Sequence, residues 1–236
     1  FYTSRFELKE FFAGKRKFLM ENFYHSQRRK HYILMKGEEP VGGEWNFDKE
    51  NRETFPKEYN RVHPLVFEKD YSRLFSTINY SGVKTFGDPM AESFHWPVNR
   101  KESLALLDFF LEYLLPNFGK YQDVMSSEDR TLFHSRLSFS LNTKMLSPDE
   151  VVNKTIEYWK QHPKNIPLSS VEGFVRQILG WREYMRGIYW AKMPGYRKLN
   201  YFNHRQPLPG FYWTGDTKMN CLSTTIKQSL HFAYAH

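Results

Sequence analysis

The stretch from Ser170 to Ala191, SVEGFVRQILGWREYMRGIYWA, constrains this chain more than any other. Val171, Phe174, Val175, Ile178, Leu179, Met185, Ile188 and Tyr189 recur at helical spacing. That period predicts an amphipathic helix of about six turns with one face buried. Ser169 and Glu172 stand at the spacing of a capping box, which would satisfy free backbone donors at its start. At roughly 100° per residue, Arg182 falls near the middle of the apolar arc, and Arg186 follows on the same side. A guanidinium keeps its proton, so burying it demands an anion. Two sources meet that demand: a carboxylate of the chain itself, or a phosphate or carboxylate of a ligand. Gln177, Trp181, Arg182, Glu183 and Arg186 supply stacking, donors and an acceptor on or beside one stripe, as a large, flat, charged ligand requires.

The rest of the chain divides into three. Residues 1 to about 35 read as helical, with the basic cluster Gln27-Arg28-Arg29-Lys30-His31 on a solvated face. Breakers from Gly37 to Gly43 end that segment. Between residues 53 and 98, six prolines and glycines, Pro56, Pro64, Gly82, Gly87, Pro89 and Pro97, exclude any long element. From Asn99 onward the pattern is helical and strand-type alternation is nearly absent, so this half reads as all-α. A helix capped by Asn99 is expected to close at Pro116, with a loop over 118–127, a second helix over 132–143, and a third opened by Ser147-Pro148-Asp149-Glu150. A loop over 194–210 precedes a last helix from about Thr217.

Composition narrows the function. The net charge of +8 suits an anionic partner, while an aromatic content of 18% suits both a helical core and surfaces that stack flat rings. Cys221 is the single cysteine, so no disulfide forms within the chain, and a reducing cytoplasm is the expected setting. No apolar run reaches membrane-spanning length, and no signal-peptide pattern opens the chain. A start at Phe1 reads as a piece of something longer.

Within Leu132–Pro148, LFHSRLSFSLNTKMLSP, His134, Ser135, Ser138 and Leu141 cluster near an expected helix start, where hydroxyls and free N–H groups could take a phosphate. Serines are also ordinary caps, and a lone cysteine is most often a small buried hydrophobe.

RQILGWREYMRGIYW is similar to the flavin-site helix of photolyases and cryptochromes, and most similar to their bacterial iron–sulfur branch, the deoxyribodipyrimidine photolyase-related proteins. The resemblance runs over nearly the whole chain, most strongly from His95 to His236. It implies a mainly α protein: part of a helical flavin-binding domain (99–236), preceded by an interdomain connection (46–98) and the end of an α/β antenna domain (1–45). It implies FAD held by His134, Ser135, Ser138, Leu141, Gln177, Trp181 and Arg182, with Arg182 near the diphosphate beside Ser135 and Ser138. Gln177 departs from the pattern, preceding Trp181 by four residues where other branches place the comparable polar residue three before.

Further roles follow from the same resemblance. WTGDTKMNCL, from Trp213, resembles the segment that carries the first ligand of a 4Fe-4S cluster, here Cys221, with three ligands beyond this chain. Trp213 is then a redox-active side chain or core. AYAH resembles the start of a histidine pair that faces the lesion, making His236 catalytic. Lys49 and Arg52 would lie near DNA, and Asp48 and Asp123 would either hold a divalent ion or be solvated loop carboxylates. The implied activity is light-driven repair of UV-damaged DNA, chiefly (6-4) photoproducts, by electron transfer from reduced FAD to a flipped lesion, with a lumazine antenna in the full-length protein. The alternatives are a blue-light photoreceptor without repair activity and an inactive folded fragment. Neither a membrane nor an obligatory protein partner is implied.

Overall fold

The computed structural model describes residues 1–56 and 58–235. Its organising element is one rod made of α8 (Leu168–Val175), a π-helical stretch (Arg176–Arg182) and α9 (Glu183–Lys192). A π turn takes up extra residues and rotates everything after it. Before it Val171, Phe174 and Val175 are buried, and within it Ile178 and Leu179. Continued at α spacing, that stripe would reach Arg182, Met185 and Tyr189. Instead Glu183 and Gly187 are the buried positions, while Met185 and Tyr189 are more than half exposed. The expected place of Arg182 at mid-arc is thereby corrected: its side chain is 20% exposed and sits at the edge of the stripe.

The start of the rod also differs from expectation. Pro167 occupies the N-cap and the helix begins at Leu168, so Ser169 and Glu172 already lie inside it. Glu172 is fully buried and does not cap this helix.

Two helices pack across the rod's first half. α4 (Arg100–Phe109) starts at the Asn99 cap and does not stop at Pro116; a π stretch (Phe110–Leu114) passes it on to α5 (Leu115–Tyr121). Pro116 falls in the first turn of α5, where its missing N–H costs little. The loop expected from residue 118 is therefore helical to Tyr121. α5 approaches α8 closely: a Cβ on Gly119 would lie 2.8 Å from the Ser170 Cα. Around this contact Phe110, Leu111, Leu115, Phe118, Phe174 and Leu179 form the main core, with Phe110 and Phe174 centroids 4.5 Å apart. α7 (Pro148–Gln161), begun by the Ser147 cap and Pro148, closes the core through Val151 and Val152.

The N-terminal segment packs on the rod's second half. α1 (Arg5–Phe12) has a capping box from Ser4 and Glu7, and α2 (Met20–His31) follows. Gly187 gives Phe12 room, since a Cβ there would fall 2.3 Å from the ring. The basic cluster in α2 is not wholly a solvated face. Arg28 has no exposure and donates to the carbonyls of Ile33, Leu34 and Trp45, closing the turn after the helix.

A two-residue antiparallel pair, β1 (Met35–Lys36) and β2 (Glu39–Pro40), is the extent of sheet among the described residues. Among the described residues that follow, up to Asn99, the helical elements are α3 (Ser72–Tyr80) and two 3-10 turns, and one isolated antiparallel bridge joins Lys69 to Phe94. The helix expected over 132–143 shrinks to α6 (Ser138–Asn142), because Leu132 and Arg136 take left-handed φ of 42° and 54°. α10 (Phe211–Thr214) and α11 (Asn220–Phe232) complete the chain.

Candidate functional site

Two adjoining cavities open beside the rod, of about 380 and 330 Å³. Gln122, Asp123 and Gln177 line both. The first also takes in Phe118, His134, Ser135, Arg136, Leu137, Ser138, Phe174 and Tyr234. The second adds Met20, Glu21, Tyr24, His25, Asn46, Asp48, Arg176 and Trp181. Residues far apart in sequence thus converge on Gln177, which sits in the π stretch.

The irregular segment 132–137 sets the polar wall. Asp129 anchors it, accepting the N–H groups of Thr131 and Leu132 at 3.0 Å each and the Tyr59 hydroxyl at 2.9 Å. These bonds and nearby Arg61 hold its carboxyl below the usual range against the opposing effect of burial. Beyond it, His134 lies edge-on to Phe118, and burial pulls its imidazole below 6.5 despite nearby Asp123, leaving it neutral at pH 7. Ser135 and Ser138 face the cavity. α6 is too short for aligned peptide dipoles to add much, so the expected helix-start contribution gives way to these side chains.

Arg136 is the residue that sequence reasoning missed. It is 6% exposed, burial pulls it down to about 10, and its Nη2 donates to the Leu65 carbonyl at 2.6 Å. Among the described residues no carboxylate pairs with it. A buried cation without a counter-charge is costly unless a ligand anion joins it. Its left-handed backbone adds strain of the kind concentrated at binding sites. The signal in the sequence was its place inside SRLS, between two serines. Gln122 is a second omission: its Oε1 is buried in the cavity wall with no hydrogen-bond partner among the described residues.

Several expected site residues are elsewhere. Arg182 lines neither cavity; its Nη1 lies 3.6 Å from Glu183 Oε1 and its guanidinium 5.0 Å from the Phe1 ring. The nearest described counter-charge is therefore the chain's own carboxylate and not a group beside Ser135 and Ser138. Arg182 Nη1 and Glu183 Oε1 are nevertheless both buried without a hydrogen-bond partner among the described residues. Leu141 is buried in the core. Trp213 is not core: it is 55% exposed and meets Phe86 edge-to-face. Cys221 is exposed rather than buried, near the start of α11. A 4Fe-4S cluster does not fit the residues present, since the chain has one cysteine. Among the described residues no three His, Cys, Asp or Glu side chains gather to hold a metal ion. Asp48 spends its oxygens on Arg176 and Arg52, which weighs against a divalent ion there, while Asp123 remains exposed. Lys49 and Arg52 are exposed on the same turn. His236 lies outside the described residues, but Tyr234 brings the end of the chain to the first cavity, resting edge-on against Trp96. Trp96 Nε1 in turn donates to the Phe232 carbonyl at 2.7 Å.

The residues present fit a phosphate-bearing cofactor with a flat ring system. Arg136, Ser135 and Ser138 supply charge and hydroxyls, Gln122 an unmet acceptor, and Phe118, Phe174 and Tyr234 apolar walls.

The family described as deoxyribodipyrimidine photo-lyase-related protein matches residues 1–96. A (6-4) photolyase of Agrobacterium fabrum is 41% identical over the whole of this chain. The chain belongs to the photolyase-related proteins. It spans 46% of the length of that photolyase. An uncharacterized protein of Acanthamoeba polyphaga mimivirus is 30% identical over 48% of the chain and 84% of its own length. A second one from the same virus is 38% identical over 24% of the chain and 31% of its own length. No helix among the described residues of this photolyase-related chain is long and apolar enough to cross a membrane.

Proposed function

We propose that this chain forms part of a light-driven, flavin-dependent enzyme that repairs UV photoproducts in DNA, with (6-4) lesions as substrate. The observation that carries the reading is the buried Arg136 guanidinium, unmatched by any described carboxylate, on a cavity shared with Ser135, Ser138 and Gln177. Identity of 41% to a (6-4) photolyase along the full chain supports the choice of substrate.

Reduced FAD, when bound and excited, supplies the electron that opens the lesion. The protein binds and orients. Arg136, Ser135 and Ser138 would hold the diphosphate, and Gln122 Oε1 would be available to accept a hydrogen bond from the ligand. Trp181 and Gln177 border the lesion side, where a base flipped from the duplex would stack and hydrogen-bond. His236 holds or yields a proton at the lesion. Lys49 and Arg52 meet DNA phosphates. Cys221 alone cannot hold a 4Fe-4S cluster and would need three ligands from outside these residues; Trp213 would be a candidate electron carrier and a lumazine a candidate antenna. On this reading residues 1–45 are the end of an α/β antenna domain, 46–98 the interdomain connection and 99–236 the N-terminal part of the helical flavin-binding domain.

The test is blue-light repair of duplexes carrying (6-4) or cyclobutane lesions by the full-length natural protein. Turnover on the (6-4) duplex is expected. Light-dependent flavin reduction without repair of either lesion would make the protein a photoreceptor instead.

A further inference from the structure

Glu172 has no exposure, yet its carboxylate gathers three donors. Oε1 accepts from the Tyr24 hydroxyl at 3.0 Å and from Arg176 Nε at 3.2 Å; Oε2 accepts the Phe47 N–H at 3.2 Å. The far side of the Arg176 guanidinium reaches Asp48 Oδ1 with both Nη atoms at 3.4 Å, and Asp48 Oδ2 meets Arg52. Charges of alternating sign thus run from the sealed interior to solvent. Beside them Asn51, also without exposure, donates to the Ser169 carbonyl at 3.3 Å.

What this row holds is a single 3-10 turn, Asp48–Glu50, none of whose side chains is buried. So short a turn has little stability of its own and no apolar anchor. Burying a carboxylate and a guanidinium for packing alone is a poor use of that space, since apolar residues of similar volume serve as well or better. A fixed position is what the ionic row adds.

We propose that Glu172 and Arg176 are positioning residues for a nucleic-acid contact. They clamp the 47–52 turn onto the helix that carries Gln177, so that Lys49 and Arg52 meet backbone phosphates at a set distance from the cavity. This rests on the reading of that face as the DNA side.

Two measurements on the full-length protein test it: hydrogen exchange of the amides from Phe47 to Arg52, and the dependence of duplex-DNA affinity on salt. Arg176→Met is expected to speed exchange across the turn and to lower the slope of log affinity against log salt by about 2, the loss of two phosphate contacts. Asp48→Ala, which cuts the row at its half-exposed end and leaves Glu172 paired, should do both to a lesser degree. Loss of folded protein alone lowers apparent affinity without changing the slope. Unchanged exchange in Arg176→Met overturns the clamp. Faster exchange with a wild-type slope overturns the phosphate contact. The double variant Lys49→Ala/Arg52→Ala then keeps the wild-type slope too, which places the failure in the reading of the surface.

Discussion

Thr3 and Glu183, 180 residues apart in sequence, share two hydrogen bonds: the Thr3 N–H and hydroxyl both donate to Glu183 Oε2, at 3.2 and 2.6 Å. The pair fastens the start of the chain to the rod just where the π stretch ends. Arg182 and Arg186 approach the same carboxylate at 3.6 and 3.5 Å. The shifted register puts Glu183 inward to receive all of them.

Glu183→Ala should therefore destabilise the protein by about 3 kcal/mol, since it strands buried donors and two cations. Glu183→Gln keeps an acceptor of the same shape and should cost less. Urea midpoints for the two variants check the order, which a purely charge-driven role for Glu183 would not produce.

Much of the fold was legible from period and breakers alone: the helical second half, the central helix, the Asn99 and Ser147 caps and the irregular connection. The register after Arg176 was not. Projection at a fixed angle per residue has no way to register a π turn, so Arg182 and Glu183 exchanged places. Pro116 misled for a related reason, because a widened turn before it absorbs the proline without ending the helix. At the candidate site, the SRLS residues and Trp181 of the WRE run line the cavities, while Arg182 and Glu183 do not. The anion demand was assigned to Arg182, although the guanidinium without a described carboxylate is Arg136. Only tertiary structure shows which arginine has a carboxylate beside it.

Gly119→Ala should test the close approach of α5 and α8. The new Cβ would lie 2.7 Å from Ser170 Oγ and 2.8 Å from Ser170 Cα, and the backbone atom cannot rotate away. A loss of about 1–3 kcal/mol is expected from overpacking. Gly195→Ala, where nothing lies within 4 Å, is the control and should leave the thermal midpoint nearly unchanged.

Acid should destabilise the protein through its histidines. Burial lowers the folded-state values of His25, His31 and His134 below 6.5. As pH falls through 6.5 the unfolded chain takes up protons first, so stability is lost from there down to the folded values and is fully present above 6.5. Glu172 acts in the opposite sense: burial raises its folded value above 4.5, so its contribution is largest below 4.5 and declines as pH rises through the folded value. The histidines act at the near-neutral end, and melting temperature should fall between pH 7 and pH 5.5. His134→Gln should flatten that fall; a profile identical to wild type would show that His134 is not protected from protonation by folding.

Arg136→Leu separates a ligand-binding arginine from a structural one. The substitution removes a buried charge that no described carboxylate offsets, so stability should hold or rise, apart from the lost bond to the Leu65 carbonyl, worth about 1–3 kcal/mol for a charged donor. Backbone strain at φ 54° is common to both residues and cancels. If Arg136 holds the diphosphate as proposed, flavin retention should nonetheless fall at least tenfold. Arg182→Leu is the comparison: it leaves Glu183 with one fewer partner and should reduce stability while retaining most of the flavin. Flavin content per protein after gel filtration, read beside the thermal midpoint, gives both quantities for each variant. Full flavin in Arg136→Leu, or its loss in Arg182→Leu at unchanged stability, would return the phosphate role to Arg182.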